Sequence, residues 1–181
     1  MSAPQPNPPM TPEDRTDPPL VGDERATLTG FLDYQRATLE WKCSGLDAEQ
    51  LARRAMPPSA LSLLGLVRHM AEVEWAWFDR LSMNGYRRDP YFFTLDDLNR
   101  DFDGAAADPA LVAEAFDLWR KACDESRAVT ARTELDGTFQ HARWNEAVSL
   151  RWVLSHMIEE YARHNGHADL LREAIDGATG E

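Results

Sequence analysis

The sequence lacks the features that mark secreted and membrane-spanning proteins. It has only two cysteines, Cys43 and Cys123, and no CxxC pair, which is typical of reduced thiols in a cytoplasmic protein rather than a disulfide framework. We expect both to be small buried residues, with a reactive Cys43 as the alternative. Apolar runs of about 18 residues are missing, as is a basic start followed by an apolar stretch, so we expect neither a membrane span nor a signal peptide.

Basic residues are also scarce. The 19 lysines and arginines face 31 aspartates and glutamates, for a formal net charge of −12. Such a surface repels the phosphates of nucleic acids and the headgroups of anionic lipids, so neither a nucleic acid nor a membrane is an expected partner. We find no Gly-rich phosphate loop, no GxSxG and no other motif for a protein nucleophile.

Proline, in contrast, is concentrated at the start of the chain. The first 20 residues contain seven prolines and few large apolar side chains, so they cannot bury enough surface to fold alone. We therefore predict a disordered tail over residues 1–20. Residues 21–181 are predicted to form one structured domain of common size.

Four long segments are predicted to be amphipathic helices, because their apolar residues recur at helical spacing. They cover about residues 23–42, 61–83, 108–132 and 150–176. In the second helix the predicted apolar stripe consists of Leu63, Leu66, Val67, Met70, Val73, Trp77 and Leu81.

The predicted helix ends carry typical capping residues. Ser59 or Ser62 is the expected cap of the second helix, and Asn84–Gly85 its stop. Asp108–Pro109 begins the third helix and Ser149 caps the fourth. Gly177 is the stop of the fourth helix.

These elements predict an all-α fold, a four-helix bundle, since no segment alternates convincingly enough to be a strand. The stretch LDAEQLARRAMPPSA allows one short helical turn at most. The second and third helices are joined by about 24 residues, enough to cross a helix about 35 Å long. One long crossover between parallel helices is therefore predicted, with a bulky loop and an antiparallel turn as the alternative.

The stretch HMIEEYARHNGH, residues 156–167, holds three of the five histidines. On a helical wheel His164 lies in the core face and Glu160 at its edge, so the two stack one turn apart and form a two-point clip for a metal ion. His69, at the margin of the second helix's apolar stripe, is the predicted third ligand, and Gly65 is expected to leave it room. Three protein ligands leave an open position, as in catalytic metal sites. A packed His69 and a Glu160–His164 surface ion pair are the alternatives.

Two segments also resemble a known family. LSLLGLVRHMAEVEWAWFDR and RWVLSHMIEEYARHNGHADLLREAIDG are similar to the DinB-like superfamily, most closely to the mini-circle proteins, or domain of unknown function 664. Many members have a histidine in the second helix and a His-x3-His-Arg-Gly-Gln run in the last. His69 and His164 match two of these histidines. Glu160 replaces the third, as in mycothiol-dependent maleylpyruvate isomerases, which use two histidines and one glutamate on zinc.

The resemblance implies a four-helix bundle with one parallel crossover. It also implies a metal-dependent transferase or isomerase that activates a small thiol, of the mycothiol or bacillithiol type, at His69, Glu160 and His164 and adds it to an electrophilic substrate. Zinc is the expected metal, and nickel, manganese and iron are alternatives. A metal- or ligand-binding stress-response protein without turnover is the alternative function, and a metal-free bundle is a third. Many such bundles pair, which makes a homodimer an option.

Other polar residues are candidates for supporting roles. Glu72 and His156 are predicted to orient the ligands, and His167 to hydrogen-bond near them. Arg151 and Arg163 are predicted to hold a substrate carboxylate. For His167 the alternative is the capping of a nearby carbonyl, and for the other four it is an ordinary surface residue. The crossover aromatics are expected to pack on the bundle, with a lid or a dimer surface as alternatives; they are Tyr86, Tyr91, Phe92 and Phe93.

Overall fold

The computed structural model describes residues 9–83, 89–94, 96–141 and 144–180, without the side chains of Arg80, Ser82 and Met83. The predicted helix stop at Asn84–Gly85 and the crossover residue Tyr86 lie outside the described residues.

The chain is mostly helical, as predicted. Its helices are α1 (Glu24–Cys43), α2 (Ala48–Ala52), α3 (Leu63–Met83), α4 (Arg100–Asp103), α5 (Pro109–Arg132) and α6 (Leu150–Asp176), and its strands are β1 (Thr138–His141) and β2 (Glu146–Ser149). Helix α2 is the single short turn expected before the prolines. Within the described ranges, no helix combines the length and apolarity needed to cross a bilayer.

The predicted capping residues hold the long helices at their ends. Ser62 accepts a hydrogen bond from a backbone N–H of the first turn of α3, and Asp108 and Ser149 do the same for α5 and α6. Each satisfies a donor that the helix leaves without a partner. Gly177 ends α6 in the left-handed region, at φ 78°, where the missing Cβ avoids a steric cost.

The four long helices enclose a common core. Helix α3 packs against α5 and α6, and α1 packs against α6. The core is made of fully buried apolar side chains from these helices, among them Leu32, Leu39, Leu66, Met70, Phe116, Leu154 and Met157. Cys43 and Cys123 are reduced thiols buried in the same core. Burial raises the pKa of Cys43 to about 12, so this thiol is inert at neutral pH rather than reactive.

A buried carboxylate links all four long helices. Glu74 on α3 is fully buried and accepts two hydrogen bonds from the Arg36 guanidinium of α1, at 2.7 and 2.8 Å. The hydroxyl groups of Ser126 on α5 and Tyr161 on α6 donate to the same carboxylate, at 2.5 and 2.8 Å. A charge with this many partners is compensated inside the core.

The expectation of no strand is wrong. β1 and β2 form an antiparallel hairpin in which Thr138 lies opposite Ser149 and His141 opposite Glu146. Each strand has only four residues, and its main inward apolar side chain is Phe139 or Val148. Four residues are too few for a period of two to be recognised in a sequence.

Part of the segment predicted as a tail lies against α1. The Arg15 guanidinium lies over the rings of Tyr34 and Trp41 on α1, 4.7 and 4.5 Å from their centroids. Pro19 packs so closely on α1 that a Cβ at Gly30 would lie 2.7 Å from it. Prolines have little backbone freedom to lose, so this proline-rich stretch docks on α1 at low entropic cost.

Candidate metal centre

The three predicted ligands lie together in the structure. His69 on α3 and Glu160 and His164 on α6 each offer one ligand atom, and these atoms all lie within 4.8 Å of one another. The two imidazole rings are 4.8 Å apart at 64°, and His164 Nε2 is 3.6 Å from Glu160 Oε2. Among the described residues, no other group of three or more such side chains is arranged this way.

The ring of His69 is held by a residue that the sequence analysis missed. His69 Nδ1 lies 2.8 Å from Oδ2 of Asp101, a buried side chain on the short helix α4. An ionised carboxylate only accepts hydrogen bonds, so Nδ1 carries the proton and Nε2 keeps the lone pair in the neutral ring. Such carboxylate–histidine pairs fix the tautomer and orientation of metal-binding histidines.

The space beside Gly65 is filled by Phe102, not by a ligand. A Cβ at position 65 would lie 3.2 Å from the Phe102 ring and 3.1 Å from Ser62 Oγ. Phe102 in turn stacks on the His69 imidazole, with centroids 4.8 Å apart and planes at 27°. The prediction that Gly65 makes room for a ligand is therefore wrong, because the glycine lets α4 approach α3 and support His69 from one side.

Glu160 is flanked by imidazoles. His164 Nε2 approaches one carboxylate oxygen, and His156 Nε2 lies 3.3 Å from the other. The contact with His164 lowers the pKa of Glu160 below its ordinary value, and the charges of His156 and His69 act in the same direction, against the opposing effect of burial. Glu160 is therefore ionised at neutral pH, the form that binds a cation.

His167 lies behind His164. The Nδ1 atoms of the two rings are 3.4 Å apart, so a hydrogen bond can orient the His164 ring while its Nε2 faces Glu160. Burial lowers the pKa of His167, and the nearby charges of His164 and Arg163 lower it further. His167 is therefore neutral at pH 7, and its Nδ1 can accept a hydrogen bond from the Nδ1–H of His164.

Glu72 serves the connection between α3 and α5 rather than the three-residue group. Its carboxylate is buried and accepts hydrogen bonds from the backbone N–H groups of Phe92 and Phe93, the latter at 3.1 Å. Phe92 is buried in the core. The Arg68 guanidinium lies over its ring, with Cζ 3.9 Å from the ring centroid. The crossover aromatics of the described residues therefore pack on their own domain, the preferred interpretation of the sequence.

The structure does not bring the two predicted substrate arginines into the group. The Arg151 side chain donates to Glu24 Oε1 at 2.6 Å and also pairs with Asp136, beside the hairpin. Arg163 is exposed and lies 3.5 Å from Glu159. Both fit the alternative of ordinary surface residues.

The donor set fits a divalent first-row ion. Two imidazoles and a carboxylate suit zinc and its neighbours. Ligand bonds of about 2.1 Å allow two donor atoms to lie up to about 4.2 Å apart on one ion. The largest separation of 4.8 Å exceeds this by about 0.6 Å, a gap that a small side-chain rotation closes.

Replacing Asp101 with asparagine is expected to weaken zinc binding by about 10- to 100-fold, because the His69 ring loses the carboxylate that orients and polarises it. Competition with a chromophoric chelator measures the affinity. Asp103→Asn is the matched control, since Asp103 lies on the same short helix and pairs with Arg54 at the surface. Equal zinc affinity in both variants would contradict the role of Asp101.

Comparison with known proteins places the chain in a family. A family model described as Mycothiol-S-transferase matches residues 27–177, a range that includes all three residues of the group. This is a DinB-like family, so the DinB-like resemblance is confirmed, while the mini-circle branch stays a prediction. No curated protein and no solved structure matches the chain.

Proposed function

The chain belongs to the mycothiol-S-transferase family, and we propose that it transfers a small thiol to an electrophilic carbon at a divalent metal held by His69, Glu160 and His164. The convergence of these side chains within 4.8 Å is the observation that carries the proposal. Family membership supports a thiol of the mycothiol type, and bacillithiol is the second candidate. Zinc is the proposed metal, with nickel, manganese or iron as alternatives.

A bound divalent ion would lower the pKa of the thiol and so supply a thiolate at neutral pH. The thiol S–H bond breaks and a C–S bond forms. In an addition the hydrogen ends on the neighbouring carbon of the substrate. In a substitution the leaving group departs with the bonding electrons and the proton passes to water. A protein nucleophile is unnecessary for either outcome.

The residues around the three ligands hold them in place for this reaction. Asp101 fixes the His69 ring through Nδ1, and His156 contacts the oxygen of Glu160 that His164 does not approach. His69 and Glu160 are partly exposed, whereas the His164 side chain is nearly buried. Small substrates therefore approach from the side of His69 and Glu160.

The fold proposal follows from the same family. We infer that α1, α3, α5 and α6 form a DinB-like four-helix bundle with the crossover between α3 and α5. The packing of α1 on α6 and of α3 on both α5 and α6 supports a bundle. The crossover contains α4 and would therefore place Asp101 beside His69.

Thiol consumption tests the proposed function. Protein loaded with zinc is mixed with mycothiol or bacillithiol and a panel of electrophiles, and the adduct is measured by mass spectrometry. We expect turnover that chelation removes and added zinc restores, because the apolar core of the domain packs without the ion. Circular dichroism of the apo form is the control.

Two outcomes would contradict the proposal in different ways. A protein that binds metal and thiol but forms no adduct across the panel would be the ligand-binding stress-response protein of the alternative. A protein that binds no divalent metal would leave the histidines as structural residues.

A further inference from the structure

Five aromatic rings in mutual contact lie beside the proposed metal group. Trp77 on α3 contacts the rings of Trp144, Trp152 and His156, at centroid distances of 5.9, 5.3 and 4.7 Å. His141, at the end of β1, stacks on Trp144 at 4.0 Å and 23°. We call Trp144 and Trp152, which meet edge to face at 5.5 Å and 82°, the tryptophan platform.

The platform continues directly into the three-residue group. Trp152, His156, Glu160 and His164 are spaced four residues apart on α6, so they form one row on a single face of the helix. Trp152 stacks on His156 at 4.9 Å and 20°, and His156 Nε2 lies 3.3 Å from Glu160. Each step of the row is about 6 Å along the helix axis. Two steps separate Trp152 from Glu160, and His156 contacts both of them, so a ligand that lies along His156 can touch the platform and reach Glu160.

The platform faces solvent although its residues are large and apolar. Trp144 is 47% exposed and Trp152 41%, whereas Trp77 behind them is partly buried. The Trp144 backbone N–H donates to His141 Nδ1 at 3.3 Å, and each platform ring contacts at least two other rings. These contacts fix the indole faces before any ligand binds, which reduces the entropy lost on binding.

We propose that the tryptophan platform binds the aromatic part of the electrophilic substrate and holds its reactive carbon near Glu160. This substrate assignment rests on the proposed function. Offset or edge-to-face contact with a flat ring stabilises such a ligand beyond the burial of apolar area. The net charge of the chain is −12, which favours neutral aromatic electrophiles over anionic ones.

Two electrophiles with the same leaving group test the assignment. In 1-chloro-2,4-dinitrobenzene and 2-chloroacetamide the thiol forms a C–S bond, the C–Cl bond breaks, chloride leaves with the bonding electrons, and the proton passes to buffer. In the zinc-loaded protein with mycothiol, Trp144→Ala is expected to lower kcat/KM about tenfold for the aromatic substrate. The value for chloroacetamide should change less than about twofold, since that substrate has no ring to stack.

Conservative and remote variants serve as controls. Trp144→Phe keeps an aromatic face and should restore most of the preference for the aromatic substrate. Phe31→Ala removes a ring that is 45% exposed on α1 and should leave the ratio of the two kcat/KM values unchanged. Equal losses for both substrates in Trp144→Ala, or no loss for either, would overturn the assignment.

A binding measurement separates this inference from the proposed function. Equilibrium dialysis with 1,3-dinitrobenzene, which has no leaving group, should give a Kd about tenfold higher for Trp144→Ala than for the wild type. If the wild type turns over neither of the two chlorinated substrates, the proposed function fails, while the dialysis still tests the platform. Unchanged dinitrobenzene binding would refute the platform. Sedimentation that shows a dimer in the wild type and a monomer in Trp144→Ala would refute it too, since the tryptophans would then be a subunit contact.

Discussion

Replacing His164 with glutamine is expected to remove bound zinc from the purified protein and to lower kcat/KM for thiol transfer by about a thousandfold. His164 is the most buried of the three proposed ligands, and its two ring nitrogens face Glu160 and His167. Glutamine keeps much of the size of the side chain but removes the imidazole lone pair. Elemental mass spectrometry measures the metal and adduct formation measures the transfer.

Leu170→Ala is the control for this variant, because Leu170 is an exposed residue of the same helix and lies outside the proposed site. Both variants should unfold cooperatively, which circular dichroism can check. A His164→Gln protein that keeps one zinc ion per chain would remove His164 from the proposed ligands. Full metal loss with unchanged transfer would show instead that the reaction needs no metal.

Replacing Glu74 with glutamine is expected to destabilise the protein by about 3–5 kcal/mol, the usual result of breaking a buried ion pair. Burial disfavours the charged Arg36 side chain, but the Glu74 carboxylate raises its pKa well above the ordinary value. Without that carboxylate the buried guanidinium keeps only the half-exposed Asp33 carboxylate, at 2.9 Å, as a countercharge. Urea unfolding followed by circular dichroism measures the free energy of unfolding.

Two comparisons show whether the buried charge is the cause. Arg36→Met with Glu74→Leu is expected to be more stable than Glu74→Gln alone, since no unpaired charge remains in the core. Arg127→Ala breaks an exposed ion pair with Asp33, at 3.0 Å, and should cost at most about 1 kcal/mol. A Glu74→Gln cost as small as that of Arg127→Ala would contradict the structural role of Glu74.

The Glu74 carboxylate should also give stability a defined pH dependence. Burial raises its pKa, but the Arg36 charge and three side-chain hydrogen bonds outweigh burial and bring the pKa below the ordinary value of 4.5. A depressed pKa in the folded state stabilises the protein above pH 4.5, and this stability is lost as pH falls through the folded pKa. The difference in free energy of unfolding between the wild type and Glu74→Gln should therefore become smaller below about pH 4.5.

The long helices and half of the site could be predicted from the sequence because they depend on local geometry. Glu160 and His164 stack because helical residues four apart share a face whatever surrounds them. The caps at Asp108 and Ser149 likewise depend on a few consecutive residues. His69 required more, since only the packing of α3 on α6 brings it near Glu160. Its prediction as a ligand rested on its position at the margin of the apolar stripe and on the family resemblance.

No comparable sequence pattern indicated that Asp101 contacts His69. It lies 32 residues from His69, on a helix of four residues within an acidic stretch without a helical period. A contact of this kind depends on how the connection folds over α3, which no local pattern encodes. The hairpin was missed for a related reason, because its strands are short and pair only with each other.

The burial of Glu74 could have been predicted from its position in α3, but the predicted apolar stripe pointed to its neighbours. The stripe ran from Met70 through Val73 and Trp77, yet the structure leaves both of these partly exposed and buries Glu74 and Phe78 instead. The core face is therefore turned by about one residue at this end of the helix. A charged residue one turn after Met70 is a candidate for a buried ion pair.

The position of Asp101 has a consequence for protein engineering. The carboxylate that steadies one proposed metal donor belongs to the connection between α3 and α5, whereas the three proposed donors themselves lie on α3 and α6. Randomising the residues around Asp101 offers a way to retune affinity and reactivity while the donor side chains and the interior keep their native sequence.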